Sequence, residues 1–501
     1  MELNTAIKQL NDVDSKLHAL NHAQAMIYWD GAIGAPKNSV EGRAKTLSIL
    51  TGEYYNTLVN DDFNELLSFL QNNISNLDYI TSKKVENFRN EYDKIAKIPQ
   101  EDYSEYTAVQ AKSGAAWEEA KEKNDFSIFA PHLEKVINYN KKFIEYRGFN
   151  KHPYNTLLDD YEKGITTDDL DEFFSELKNT IVPLVAKIKE SGVDINTEFA
   201  YKHYDVKKQD KLNKKLLESI GFNMDSGLIE ESVHPFTTNF NRNDVRITTH
   251  YYDNNVLSAL YSTIHEGGHA IYEQNISEEL EYSTLCGGTS MGIHESQSRF
   301  FENVIGRSYS FLEYLFPMVQ EAFPENLSDV TAYDFYFAAN ESSPSLVRIE
   351  ADELTYSLHI MIRYEIEKLL FENKVLVEDL PKLWNEKYHE YMGLTPKSDA
   401  EGILQDVHWS EGYFGYFPSY ALGNAYASQF AHTMKNVIDF DEDLKNGNFD
   451  NINNWLHDNI HKHGKLLTPK EIIEKATGEP LNAKYYTKYL EEKYSKLYNL
   501  K

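Results

Sequence analysis

Apolar residues recur at three- and four-residue intervals through most of this chain, a period that admits helices and little else. Residues 1 to about 200 read as successive amphipathic helices, broken at Pro36, Pro99, Pro131, Pro153 and Gly192. Pro131 follows a helix start at Ser127 to Phe129, where the first turn tolerates proline. Only 24 Gly and 14 Pro occur in 501 residues, few for a turn-rich β protein, and the 41% of hydrophobic residues suffices for a large core. No repeat or low-complexity linker divides the chain. The expectation is a large all-α fold around a cleft.

One segment departs from the helical period. Asp244 to Asp253 is β-branched and aromatic and alternates, so it reads as a strand in a small sheet. A helix follows it, with Asn254 or Asn255 as N-cap. Leu257, Leu260, Tyr261, Ile264, Gly268 and Ile271 form its apolar stripe, and Ser258, Ser262, His265 and His269 form a separate polar one. This helix therefore packs on a core and turns both histidines elsewhere, as a cleft wall requires.

Those histidines belong to His265-Glu266-Gly267-Gly268-His269, an H-E-x-x-H pattern. Residues i and i+4 share one helix face, so two imidazoles can grip one zinc ion with Glu266 beside them as a base. The pattern alone arises by chance in glutamate- and histidine-rich chains, and this one has 17 His. Gly267 and Gly268 each cost about 1 kcal/mol against alanine within a helix. Close approach of a substrate chain or tight helix packing could offset that cost equally well.

A catalytic zinc takes three protein ligands and keeps one position open. Glu273 lies on the same helix and out of reach, and Glu278, Glu279 and Glu281 fall in a turn. Glu295, 26 residues past His269 on a second, antiparallel helix, is the best third ligand; Glu302, two turns on, is the runner-up and reads as structural. A further helix from about Ser345 to Leu370 carries Arg348, Asp352, Thr355 and His359 at helical spacing. Arg348 could offer a forked donor to a carboxylate. The same spacing describes an exposed Arg348–Asp352 pair, and spacing alone favours that reading. Farther on, His408, Trp409 and Tyr420 lie near glycine-rich turns that suit a substrate-contacting wall.

The net charge of −29 disfavours nucleic acid and anionic membrane as partners. The single cysteine, Cys286, fits a reducing compartment; with a polar N-terminal stretch and no long apolar run, the expectation is a soluble, cytoplasmic protein.

Taken together, the motifs resemble the carboxypeptidase Taq family of zinc metallocarboxypeptidases. The matching elements are His234-Pro-Phe236, Asp244-x-Arg246-x-Thr248, His265-Glu-Gly-Gly-His269, His294-Glu295-Ser-Gln297, Arg348-x-Glu350-Ala-Asp352 and Gly402-x-x-Gln405-Asp406-x-His408-Trp409. The stretch around Trp29-Asp30 and Pro36 is similar too. The resemblance implies one catalytic domain over residues 1–501, an all-α, two-lobed, neurolysin-like fold with a deep groove and a small antiparallel sheet. It implies a homodimer that removes single residues from the free C-termini of peptides, with broad specificity and resistance to a C-terminal proline. The metal it implies is one Zn2+ per chain, replaceable by Co2+, on His265, His269 and Glu295. Glu266 becomes the general base, and His408 and Tyr420 contact the scissile carbonyl. Arg348 and Arg246 are candidates for gripping the terminal carboxylate, with His234 as a further substrate contact. The strand from Asp244 would pair with the extended substrate. Two alternatives stand beside this reading: an endo-acting oligopeptidase on the same scaffold, and a non-catalytic helical zinc-binding scaffold, against which the retained Glu266 argues.

Overall fold

Breaks in the periodicity become helix ends in the computed structural model, which describes residues 1–500. Helices α1 (Leu3–Ile33) and α2 (Val40–Leu58) flank Pro36, while α3 (Asp61–Asn72) and α4 (Tyr79–Ala96) precede Pro99. Asn60 and Asp78 cap α3 and α4 by accepting from Phe63 and Thr81 backbone N–H groups. Helix α5 (Gln100–Lys123) starts just after Pro99, and α6 (Phe126–Arg147) runs straight through Pro131. The expected break there is therefore absent. Asp125 caps α6 by accepting from Ser127, and buried Phe129, Leu133, Val136, Ile137 and Phe143 hold the helix in place although proline removes one backbone donor.

After α7 (Asn155–Leu158), α8 (Thr167–Ser191) opens on a Thr166–Asp169 capping box. It ends at Gly192, whose φ of 64° is the left-handed stop that glycine adopts readily. Helix α9 (Val206–Ile220) leads into strands β1 (Gly227–Glu231), β2 (Thr237–Asn241) and β3 (Asp244–Thr249). Their order is β1-β3-β2, with β3 parallel to β1 and antiparallel to β2. The sheet is thus mixed rather than wholly antiparallel, because β1 joins the side of β3 that the β2–β3 hairpin leaves open. Val245 and Ile247 of β3 are fully buried.

Helices α10 (Val256–Gln274) and α11 (Met291–Arg299) follow, and α11 continues into a π-helical turn, Phe300–Ile305. Then come α12 (Tyr309–Ala322), α13 (Pro324–Leu327), α14 (Ala332–Ala339), α15 (Tyr356–Phe371), α16 (Leu380–Met392) and α17 (Pro418–Met434). Four more helices, α18 to α21 (Phe440–Lys445, Asp450–Asn459, Pro469–Thr477 and Lys484–Leu497), close the chain. The helix expected from Ser345 starts only at Tyr356. Asp352 is spent as a turn acceptor, taking hydrogen bonds from the Leu354 and Thr355 backbone and the Thr355 hydroxyl, and Arg348–Glu350 is a single 3₁₀ turn.

Two main apolar cores result, beside a separate cluster of Ile276, Leu280 and Leu285. A small one joins α1 to α4 through Leu10, Leu17, Leu66, Leu67, Leu70 and Val85, and a much larger one fills the rest of the chain. A cleft of roughly 1600 Å³ lies between them, with His18 and His22 of α1 and Asn90 and Lys94 of α4 on one side and α10 on the other. Among the described residues, no helix is long and apolar enough to cross a membrane.

Candidate active site

Helix α10 forms the cleft wall because its two stripes are chemically distinct. Asn255 is its N-cap, accepting from the Leu257 and Ser258 backbone at 3.1 and 3.2 Å. Leu260, Tyr261, Ile264 and Ile271 are buried, whereas Ser258, Ser262, His265 and His269 are half-buried on the other face. The two glycines are accounted for by packing. A Cβ on Gly268 would lie 2.6 Å from the Gln297 carbonyl oxygen of α11, and one on Gly267 2.8 Å from Leu217 of α9. Their conformational cost thus brings α10 against two neighbours.

That close approach places Glu295 opposite the histidines. Its Oε2 lies 3.8 Å from His265 Nε2 and 3.5 Å from His269 Nε2. The three donor atoms fall within 4.8 Å of one another. Such separations suit donors at about 2.0–2.2 Å from a shared tetrahedral ion. The set is two imidazoles and a carboxylate, and the outer nitrogens of both rings are already occupied, so only the Nε2 lone pairs face inward. The residues therefore fit a zinc-type site. Helix α17 backs this arrangement: a Cβ on Gly423 would meet Glu295 Cγ at 2.5 Å.

The supporting groups differ for the two rings. His265 Nδ1 donates to Glu302 Oε2 at 2.9 Å, and Glu302 lies in the π-helical turn. His269 Nδ1 meets His294 Nδ1 at 2.6 Å, and His294 Nε2 meets Glu273 Oε1 at 2.7 Å. Arg299 bonds to both Glu295 and Glu302, at 2.7 and 3.1 Å. Burial pushes both carboxyls up, but Arg299 and the histidines outweigh it and hold them well below the usual range. Burial, with His294 and His265, brings His269 down to about 4 against the pull of Glu295. His265 is moved the other way, since Glu295 and Glu302 outweigh burial.

Glu266 is buried beside the triad, and burial raises its carboxyl against the pull of His265. Thr237 of β2 donates to Glu266 Oε2 at 2.6 Å. A second cluster gathers around Tyr420 at the start of α17, with His408 from the preceding loop and Arg348 from its 3₁₀ turn. His408 Nε2 lies 3.2 Å from the Tyr420 hydroxyl, and Arg348 sits 5.0 Å from the Tyr420 ring centre. Burial and Tyr416 keep the Tyr420 hydroxyl protonated well above its ordinary range, and burial takes His408 down to about 3.

The sequence-derived substrate contacts separate here. Arg348 is buried and pairs with Asp406 at 2.9 Å, while also donating to the Tyr356 hydroxyl at 3.0 Å. The Arg348–Asp352 pair does not form. Arg246 forks onto Asp244, with both bonds 2.7 Å, between Trp29 and Phe240. His234 is exposed, and His234, Arg246, Arg348 and His408 do not line the cleft, although Pro235, Phe236, Tyr416 and Tyr420 do. His408, expected to contact the scissile carbonyl, stands behind Tyr420 instead. Strand β3 lies between two partners and has no free edge; β1 and β2 are the edge strands, and of these β2 faces the cleft, with Thr237 and Asn239 lining it. The expected pairing of substrate with β3 is thereby excluded. Sequence reasoning missed Thr237, which no local pattern marks, and gave no role to His294 within its motif. Arg299 was findable, at i+4 from Glu295.

The sequence model described as Carboxypeptidase Taq (M32) metallopeptidase matches residues 9–494. Over 501 residues the chain is 48% identical to carboxypeptidase 1 of Bacillus subtilis, covering 100% of both chains. It is 36% identical to thermostable carboxypeptidase 1 of Pyrococcus furiosus, over 98% of this chain and 99% of that one. The crystal structure of the M32 carboxypeptidase from Deinococcus radiodurans R1 superposes with a TM-score of 0.96 at 34% identity, over 99% of this chain and 100% of the other.

Proposed function

The chain belongs to the carboxypeptidase Taq family of metallopeptidases and is a peptide-hydrolysing enzyme; we propose that it cleaves single residues from free peptide C-termini with one Zn2+ held by His265, His269 and Glu295. The observation that carries this reading is the convergence of both Nε2 atoms on Glu295 Oε2, with Glu266 beside them. Residues from both cores line the one cleft, which supports reading residues 1–501 as one catalytic domain. Co2+ is proposed as a substitute metal, since it accepts the same nitrogen and oxygen donors. A homodimer and a cytoplasmic setting belong to the same proposal; a single cysteine supports the latter.

A Zn2+ held by His265, His269 and Glu295 would supply Lewis acidity to the scissile carbonyl and to a water beside it. Glu266, anchored through one oxygen by Thr237, uses the other to take the proton of the attacking water and later delivers it to the leaving amine. Tyr420, kept protonated and held by His408, donates to the carbonyl oxygen as negative charge develops there. Neither arginine lines the cleft: Arg348 pairs with Asp406 behind Tyr420, and Arg246 with Asp244 behind Phe240. We take Arg348, whose neighbour Tyr420 is the carbonyl donor, as the candidate for the terminal carboxylate once it turns from Asp406. The edge strand β2 pairs with the extended substrate upstream of the cleaved bond.

Mass spectrometry of an N-acylated peptide with a free C-terminus tests the reading. Zinc-loaded protein is expected to give a ladder shortened one residue at a time, absent with chelator. Internal fragments would establish an endopeptidase instead, and an intact peptide with either zinc or cobalt would leave only a binding scaffold.

A further inference from the structure

The two histidines of α10 are supported asymmetrically. His265 reaches a carboxylate directly, whereas His269 reaches one through a second imidazole. Two ring nitrogens 2.6 Å apart require one proton between them. The carboxylate of Glu273 is an acceptor, so a proton of His294 sits on Nε2, 2.7 Å from Glu273 Oε1. His269 can ligate through Nε2 only with its own proton on Nδ1, so the shared proton belongs to His269 and His294 Nδ1 accepts it. This leaves the His269 Nε2 lone pair facing Glu295. Glu273 is itself fixed, accepting from Asn239 Nδ2 at 2.7 Å and from the Gly288 backbone at 2.9 Å.

The fold also holds the His294 ring in place. A Cβ on Gly288 would lie 2.5 Å from His294 Cδ2 and 2.9 Å from the Tyr272 ring. Gly288 thus gives His294 and Tyr272 room to pack, with ring centres 5.2 Å apart. His294 does not join the metal-facing donors, which are His265, His269 and Glu295 alone among the described residues.

From this geometry we propose that His294 is a positioning residue: through a two-imidazole relay ending on Glu273, it fixes His269 as the Nδ1–H tautomer and presents Nε2 to the metal. The inference rests on reading His265, His269 and Glu295 as the ligands. Partners at this remove commonly govern metal affinity by about 10–100-fold.

Zinc affinity of the full chain, measured by competition with a chromogenic chelator, tests the relay. Wild-type protein must bind one zinc and lose it on His265→Ala; otherwise the ligand reading itself fails. Given that, His294→Leu is expected to bind zinc about 10–100-fold more weakly and to shift the visible spectrum of the cobalt-loaded protein. His294→Gln, whose amide offers an acceptor to His269 and a donor to Glu273, is expected to recover most of the affinity and the wild-type spectrum. Glu273→Gln and Gly288→Ala should weaken zinc in the same direction, and they decide the matter if His294→Leu does not fold. Wild-type zinc affinity in these variants, a Gln variant no better than Leu, or a change confined to peptide KM would overturn the relay.

Discussion

Glu302 Oε2 accepts the Nδ1 proton of His265 at 2.9 Å, so this carboxylate orients a ring that faces Glu295 from the opposite side. Arg299 and Arg307 hold Glu302 in turn, at 3.1 and 3.2 Å. Glu302→Gln keeps the shape and an acceptor but removes the charge. Zinc affinity, read by chelator competition, is expected to fall about 10–100-fold with the fold retained. An unchanged affinity would show that Glu302 serves packing alone.

Glu266→Gln should leave zinc stoichiometry at wild-type level, because the side chain is not among the converging donors. Its kcat should fall by about 10²–10⁴-fold, the usual contribution of a positioned base. Metal analysis and kinetics on the same sample check both halves, and a fully active variant would remove Glu266 from the chemistry.

Gly268→Ala improves helix propensity by about 1 kcal/mol yet should destabilise the protein. The added methyl would lie 2.6 Å from the Gln297 carbonyl, a backbone atom that cannot step aside. A net loss of about 1–3 kcal/mol is expected, with weaker zinc retention as α11 is pushed off α10. Thermal unfolding with and without chelator separates the two effects.

Much of this was legible because it is local. The stripes of α10, its Asn255 cap and the stop at Gly192 follow from spacing and turn chemistry, and the structure brings Glu295 to the histidines that spacing had paired with it. What escaped depends on partners distant in the chain. Arg348 meets Asp406, 58 residues away, so the i, i+4 pattern with Asp352 was only apparent. Asp352 instead closes a turn, which delays α15 to Tyr356. The strongest strand signal belonged to β3 because it is buried between two neighbours, and that position denies it the free edge β2 has. Pro131 shows the converse, a local breaker overridden by the apolar face of α6.

Acid should destabilise the chelated protein partly through His461. This ring is fully buried against Gln297 at 2.8 Å, and burial, aided by His457 and His294, takes it down to about 3. Its folded value lies below that of the unfolded chain, so below about pH 6.5 the unfolded state binds the extra proton. The stabilisation is complete above that pH and is lost as pH falls towards 3, by up to about 1.4 kcal/mol per pH unit. Denaturant unfolding between pH 4 and 8 should therefore show a shallower acid limb for His461→Gln than for wild type. Parallel limbs would assign the acid loss to other groups.

An exopeptidase must place a cation one residue beyond the bond it cuts. Both candidate arginines are ion-paired behind the cleft lining, Arg348 with Asp406 and 5.0 Å from the ring centre of Tyr420, Arg246 with Asp244 between Trp29 and Phe240. The proximity of Arg348 to the proposed carbonyl donor makes it the first to test. Arg348→Ala should therefore raise KM sharply for peptides with a free C-terminus and leave C-terminally amidated peptides, poor substrates already, little changed. Arg246→Ala should not discriminate between the two. Because Arg348 also neutralises Asp406, Arg348→Lys serves as the folded control, keeping the charge but not the fork. If Arg246→Ala alone shows the contrast, the carboxylate is gripped from the sheet, and if neither does, the anchor is a cation of the cleft lining itself.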